Sequence, residues 1–183
     1  MWANYELNMA YQYIKFDIEF YTIFDMIHQM QYNLYKPNQK GTGCAFSFKI
    51  ITKDKNGNPS KPTFLIQAIK QASWDSNKKT GSFSANAKDP EKNIFSKINE
   101  HEAGAIIHAI EKYTDFSAYH TYNDDKTSIS FKPYKKNNGS DAWSFGIIKN
   151  STLKFGIGIE IGEARTLKSL LEIYLNKLFD SDF

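Results

Sequence analysis

Apolar and polar positions alternate with a period of two over most of this chain, and the interruptions mark its helices. From Cys44 onward, Phe46, Phe48 and Ile50 alternate with Ser47, Lys49 and Ile51. Successive strand side chains point to opposite faces, so this spacing predicts a strand with one apolar face. Residues 63–74 ("TFLIQAIKQASW"), 82–88 ("SFSANAK") and 93–98 ("NIFSKI") predict three more, separated by polar turns at 53–62 and 75–81 and by Asp89-Pro90. The period then changes. Asn99 with Glu102 forms a capping-box signature ahead of Ala103, Ile106, Ile107 and Ile110, which predicts a helix over 100–112. Alternation returns at 115–122, 126–134, 142–150 and 153–161, with turn chemistry at Asp124-Asp125, Asn138-Gly139 and Asn150-Ser151. Leu167, Leu170, Leu171, Tyr174, Leu175 and Leu178 then form one stripe of a terminal amphipathic helix.

Upstream, Phe20, Ile23, Phe24, Ile27, Met30 and Leu34 have helical spacing over 18–35. The overlapping set Ile14, Phe16, Ile18 and Phe20 alternates like a strand, so this segment is readable both ways. Pro37 and Gly41 close it. The expected fold class is therefore α+β: two four-stranded antiparallel sheets, each followed by a helix. Residues 1–35 are an extension and residues 36–183 one domain. Each sheet needs cover on one face.

Charge sharpens this picture. The net charge of +3 divides into −3 over residues 1–35, +8 over 36–97 and −2 over 98–183. A basic block suits an anionic partner, nucleic acid above all; the alternative is lysines that merely solvate strands. Among 23 basic residues only Arg165 is an arginine. Lysine acts as a point charge on phosphate where arginine reads bases, so such a binder favours backbone over sequence. Cys44 is the single cysteine, which excludes an intrachain disulfide and suits a reducing compartment. No stretch reads as a signal peptide, and Lys15, Asp17, Glu19 and Asp25 interrupt the apolar run 9–27. A soluble, cytoplasmic protein that is not secreted is expected.

The stretch 131–145, "FKPYKKNNGSDAWSF", sets Phe131, Tyr134, Trp143 and Phe145 among Lys132, Lys135 and Lys136. Lys132 and Tyr134 share a strand face with Ser128 and Ser130, which predicts exposure. Phe131 and Phe145 are expected in the core, with Trp143 partly buried and Lys149 at the wet end of its strand. In the first half, Lys49 and Ser47 lie opposite Phe46 and Phe48. Lys70 and Trp74 share a face with Phe64 and Ile66, and Trp74 runs into Lys78 and Lys79 near a turn. Catalytic readings are weaker. "HEAGA" at 101–105 lacks the second histidine of a zinc motif, because position 105 is alanine. "GIGIEIG" at 156–162 sits inside an alternating strand rather than after one, so its glycines suit close approach better than a phosphate loop.

Several stretches resemble the Whirly single-stranded-DNA-binding proteins and their wider PC4-like fold. They are "LYKPNQKGTGCAFSFKI" (34–50), "IKQASWDSNKKTGSF" (69–83), "FSKINEHEAGAIIHAI" (95–110), "DFSAYHTYNDDKTSISFKPY" (115–134) and "TLKFGIGIEIGEARTLKSLLEIYLNKLF" (152–179). The first two look closest to phage-type and bacterial members. Lys40-Gly41-Thr42-Gly43-Cys44-Ala45 departs from the KGKAAL motif of the plant proteins. The resemblance implies a ββββα-ββββα fold and a dimer or tetramer. It implies binding of single strands without sequence preference, in replication, recombination or transcription. It implies neither cofactor, metal nor catalysis. Stacking on aromatics and phosphate contacts from lysines would supply the affinity. The expected contacts are Lys40, Lys49, Lys70, Trp74, Lys78, Lys79, Lys132, Tyr134, Lys135, Lys136 and Lys149. Neither stacking nor phosphate contact reports the 2′-hydroxyl, so DNA and RNA both remain open.

Overall fold

A computed structural model describes residues 30–180. The first half holds β1 (Gln31–Lys36), β2 (Cys44–Lys53), β3 (Pro59–Lys70), β4 (Ser73–Asp75), β5 (Thr80–Ser82) and β6 (Asn93–Ile98), followed by α1 (Glu100–Lys112). The second holds β7 (Phe116–Tyr122), β8 (Asp125–Lys135), β9 (Asp141–Lys149) and β10 (Leu153–Glu160), followed by α2 (Ile161–Asp180). One antiparallel sheet has the order β1-β2-β3-β6 and another β10-β9-β8-β7, while β4 and β5 form a separate two-stranded ribbon. The fold is mixed α+β with antiparallel sheets and a C-terminal helix.

The alternation seen in the sequence sets what faces inward. Phe46, Phe48, Phe64 and Ile66 bury completely on the first sheet, as do Phe131, Phe145 and Ile147 on the second. The two inner faces meet at Phe145, whose ring stands edge-on to Phe46 at 5.4 Å and to Phe48 at 5.5 Å between centroids. Such edge-to-face pairs are favoured because a ring's positive rim meets its neighbour's negative face. The stripe of α2 closes the same core, with Tyr174 against Phe64 at 5.5 Å. Leu167, Leu170, Leu171 and Leu178 of that stripe are buried and Leu175 half-buried.

The capping box of α1 forms in full. Glu102 N donates to Asn99 Oδ1 at 2.9 Å and Asn99 N to Glu102 Oε2 at 2.9 Å, satisfying two amides that the helix cannot. At its other end Tyr113 takes a left-handed conformation (φ 54°), which stops the helix where the sequence predicts.

Four expectations change. Residues 31–35, assigned to a helical extension, are the edge strand β1, because Leu34 pairs with Phe46 and buries beside it. The helix expected from 18 and the alternative strand at 14–20 otherwise fall outside the described residues. The strand expected over 63–74 begins earlier, at Pro59, and ends at Lys70; Gln71 then turns the chain into the ribbon. Gln71 Nε2 donates to Asn38 O and Ser73 O, both at 3.0 Å, and its Oε1 accepts from Asn38 N at 2.9 Å. The strand expected over 82–88 is the end of β5 and a 3₁₀ turn, Ser84–Asn86, held by Asn86 Nδ2 donating to Lys70 O and Gln71 O. Finally, Trp143 is 5% exposed rather than half-buried, stacked on Phe131 at 5.9 Å and edge-on to Tyr113 at 5.2 Å.

Candidate nucleic-acid interface

The outward face of the second sheet is built from small residues. Register places Ser117 beside Ser130, Ser130 beside Gly146, and Gly146 beside Gly156. The next row sets Lys132 beside Ser144 and Ser144 beside Gly158. The result is a shallow, uncapped trough floored by serines and glycines. A strand face this poor in side-chain volume contributes nothing to a core. Tyr119 lies on the same face at one end, 63% exposed, and Tyr134 at the other, 41% exposed.

Tyr134 reaches over β9 toward β10. A Cβ added at Gly158 would stand 2.9 Å from the Tyr134 hydroxyl, so glycine is what lets the ring lie down there. Ala142, in register between Tyr134 and Glu160, is 1% exposed although it belongs to the outward face. The ring thus presents one surface to solvent and the other to the sheet. That is the arrangement a stacking platform requires. Lys132 is exposed on this face and has no carboxylate partner among the described residues. The expected exposure of Lys132 and Tyr134 agrees with their positions.

Three other predicted lysines are not free to meet an anion without giving up a partner. Lys135 pairs with Asp141 and lies over the Tyr113 ring at 5.6 Å. Lys136 pairs with Glu160 at 2.7 Å and Lys149 with Asp125 at 2.6 Å. These contacts hold Asp141, Glu160 and Asp125 below the usual carboxylate range through the hydrogen bond from each lysine, and they raise Lys135 and Lys136 in turn. Their reason is local. Lys135 stands directly across the β8–β9 pair from Asp141, while Lys136 and Lys149 meet Glu160 and Asp125, acidic residues that distance along the chain conceals. Glu160 N also donates to Glu163 Oε2 at 2.8 Å, and Glu163 pairs with Lys36, so the start of α2 is tied to both β8 and β1.

The first-half candidates gather elsewhere. Lys49 is half-buried on the outward face of the first sheet, in register between Gln31 and Leu65, with Lys97 one strand further. Lys70 ends β3, Lys40 sits in the β1–β2 loop, and Lys78 and Lys79 form the tip of the ribbon. All four are exposed without carboxylate partners among the described residues. The ribbon and the loop are pressed together, since a Cβ at Gly81 would lie 2.3 Å from Pro37 Cβ. Trp74 is not on β3 with Phe64 and Ile66. It belongs to β4, half-buried, because the chain turns at Gln71. The structure therefore groups Lys40, Lys70, Lys78, Lys79 and Trp74 around one end of the first sheet.

Sequence reasoning missed the exposed aromatics Tyr35, Phe95, Tyr119 and Tyr122. Strand parity could have found Phe95, which alternates against the buried Ile94 and Ser96. Among the described residues no cluster of histidine, cysteine and carboxylates has metal-binding proximity, and no helix is long and apolar enough to cross a membrane. No protein-family model, curated protein or solved structure matches this chain.

Proposed function

We propose that the protein binds single-stranded nucleic acid with little sequence preference, on a Whirly/PC4-like scaffold that assembles as a dimer or tetramer. The observation that carries the reading is the trough on the second sheet. It is an uncovered sheet face of serines and glycines with tyrosines at its ends, one of them lying flat, and an unpaired lysine between them. Unpaired bases offer π-faces to Tyr134 and Tyr119, and Lys132 sits where an adjoining phosphate would run. The low arginine content supports recognition of backbone rather than bases. The binding needs no cofactor and involves no covalent chemistry. DNA is the leading ligand through the family resemblance, and RNA is the alternative on the same scaffold.

Fluorescence anisotropy with labelled oligo-dT, oligo-U and a matched duplex, across a salt series, tests the reading. Salt-sensitive binding to oligo-dT in preference to duplex is expected. Tyr134→Ala should weaken it about 5- to 150-fold, the range for one lost stacking contact. Absence of binding to every oligonucleotide at low salt would leave the exposed aromatics as subunit contacts of a structural oligomer.

A further inference from the structure

A line of contacts joins the trough to the lysines at the end of the first sheet. Tyr134, Ala142 and Glu160 form one row across β8, β9 and β10, so Glu160 closes the Tyr134 end of the trough on the edge strand. Lys136 Nζ reaches Glu160 Oε1 at 2.7 Å. Glu160 N donates to Glu163 Oε2 at 2.8 Å, and the other oxygen of Glu163 accepts from Lys36 at the end of β1. Pro37 follows Lys36 directly, and the ribbon presses on it at Gly81. Trp74 is the register partner of Gly81. Directly paired residues share a face, so Trp74 stands on the side of the ribbon that meets Pro37. Beside this line Cys44 Sγ donates to Gly156 O at 2.9 Å, which ties the start of β2 to the middle of β10.

Charge along the line follows a pattern. At its two ends lysines stand without carboxylate partners among the described residues: Lys132 in the trough, and Lys40, Lys70, Lys78 and Lys79 around the ribbon. At the crossing between them each cation is matched, Lys136 by Glu160 and Lys36 by Glu163. All four side chains of the crossing keep 25–59% of their surface in solvent. Ion pairs so exposed contribute little to stability. Their larger effect falls on an anion passing over them, because the carboxylates repel its phosphates and occupy the nearest lysines.

We infer that a single strand bound in the trough continues past Tyr134, over this crossing, to Trp74 and the ribbon lysines, and that Glu160 and Glu163 moderate its affinity by neutralising Lys136 and Lys36 beneath it. The strand is gripped at two ends and held loosely between them. The inference rests on the single-strand reading above and extends it from a site on one sheet to a track across both.

Anisotropy with the full chain and oligo-dT, across a salt series, tests the crossing. Glu160→Gln and Glu163→Gln should each bind several-fold tighter at low salt. Each should steepen the dependence of log affinity on log salt by about 0.7, the value of one added phosphate contact on a single strand. Glutamine at 163 keeps an oxygen to accept from Glu160 N. Glu172→Gln makes the same change in net charge beside Lys168 on α2 and should alter neither quantity. Unchanged binding by the first two variants, or an equal gain by all three, overturns the inference and leaves the single-strand reading standing. A series of oligo-dT lengths tests the track through a residue at the exposed ribbon tip. Lys78→Gln should match the unaltered protein on the shortest oligomers that bind and fall below it as length grows, whereas Tyr134→Ala weakens binding at every length. A Lys78→Gln effect at no length, or an equal one at all lengths, overturns the track. No binding of any oligomer by the unaltered protein overturns the inference and the single-strand reading together.

Discussion

At the residue scale, the function proposed for Tyr134 depends on a neighbour with no side chain. Gly158 leaves room for the tyrosine hydroxyl two strands away, and it is itself exposed. Gly158→Val should lift the ring off the sheet and reduce oligo-dT affinity several-fold with little loss of stability, since the extra methyls meet only a mobile side-chain end. Anisotropy alongside urea unfolding separates the two effects; an unchanged affinity would remove Tyr134 from the interface. Cys44 behaves in the opposite sense. Burial where β2 meets β10 pushes its thiol up to about 11, and Sγ donates to Gly156 O at 2.9 Å, a bond that only the protonated form makes. The thiolate is the reactive form, so the group stays protonated through the neutral range and its reactivity appears only as pH approaches 11. Titration with a disulfide reagent at pH 8 should find no reactive thiol in the folded protein and one per chain in denaturant.

At the scale of elements, α1 is the joint of the molecule. Its first turn holds the capping box, and Glu102 at that turn also receives His120 from β7. The cap thus couples helix formation in the first half to an edge strand of the second. Asn99→Ala removes the acceptor for Glu102 N and should destabilise the protein by about 1 kcal/mol, read from the midpoint shift in urea at constant slope. A larger loss would show that the Glu102 contact to His120 also depends on the cap. The ribbon β4–β5 is a second joint. Gln71 ties it to the β1–β2 loop through three hydrogen bonds, which gathers lysines that lie thirty or more residues apart.

At the scale of the whole molecule, the charge map differs from the charge count. Lysines are spread through the chain, but Lys135, Lys136 and Lys149 are matched by Asp141, Glu160 and Asp125, while Lys40, Lys70, Lys78, Lys79 and Lys132 stand without acidic partners among the described residues. Counterion release scales with the phosphates a protein neutralises, at a slope of about 0.7 per contact on single strands. Lys132→Gln should flatten the dependence of log affinity on log salt by about that amount. Lys135→Gln should change it less, because the lost cation frees Asp141 and was already neutralised. Equal slopes for both variants would mean that the trough is not the phosphate path.

Local pattern was enough for the elements whose stability is local. The capping residues and the apolar period located α1, and the leucine stripe located the burying face of α2, because a helix satisfies its own backbone and shows its buried face every three to four residues. The same period sorted Phe131 and Phe145 from Lys132 and Tyr134, since alternation alone decides which side chains share a strand face. It could not say that Leu34 would pair with Phe46, or that Gln71 would end β3, because strand pairing is settled between segments distant along the chain. Nor could it find the carboxylates that neutralise Lys135, Lys136 and Lys149, or the glycine that lets Tyr134 lie flat. The seam between β6 and β7 belongs wholly to the tertiary structure. Ser96, Glu102 and His120 lie on three different elements, and only the packing of one sheet's edge against the other's brings them within hydrogen-bonding distance.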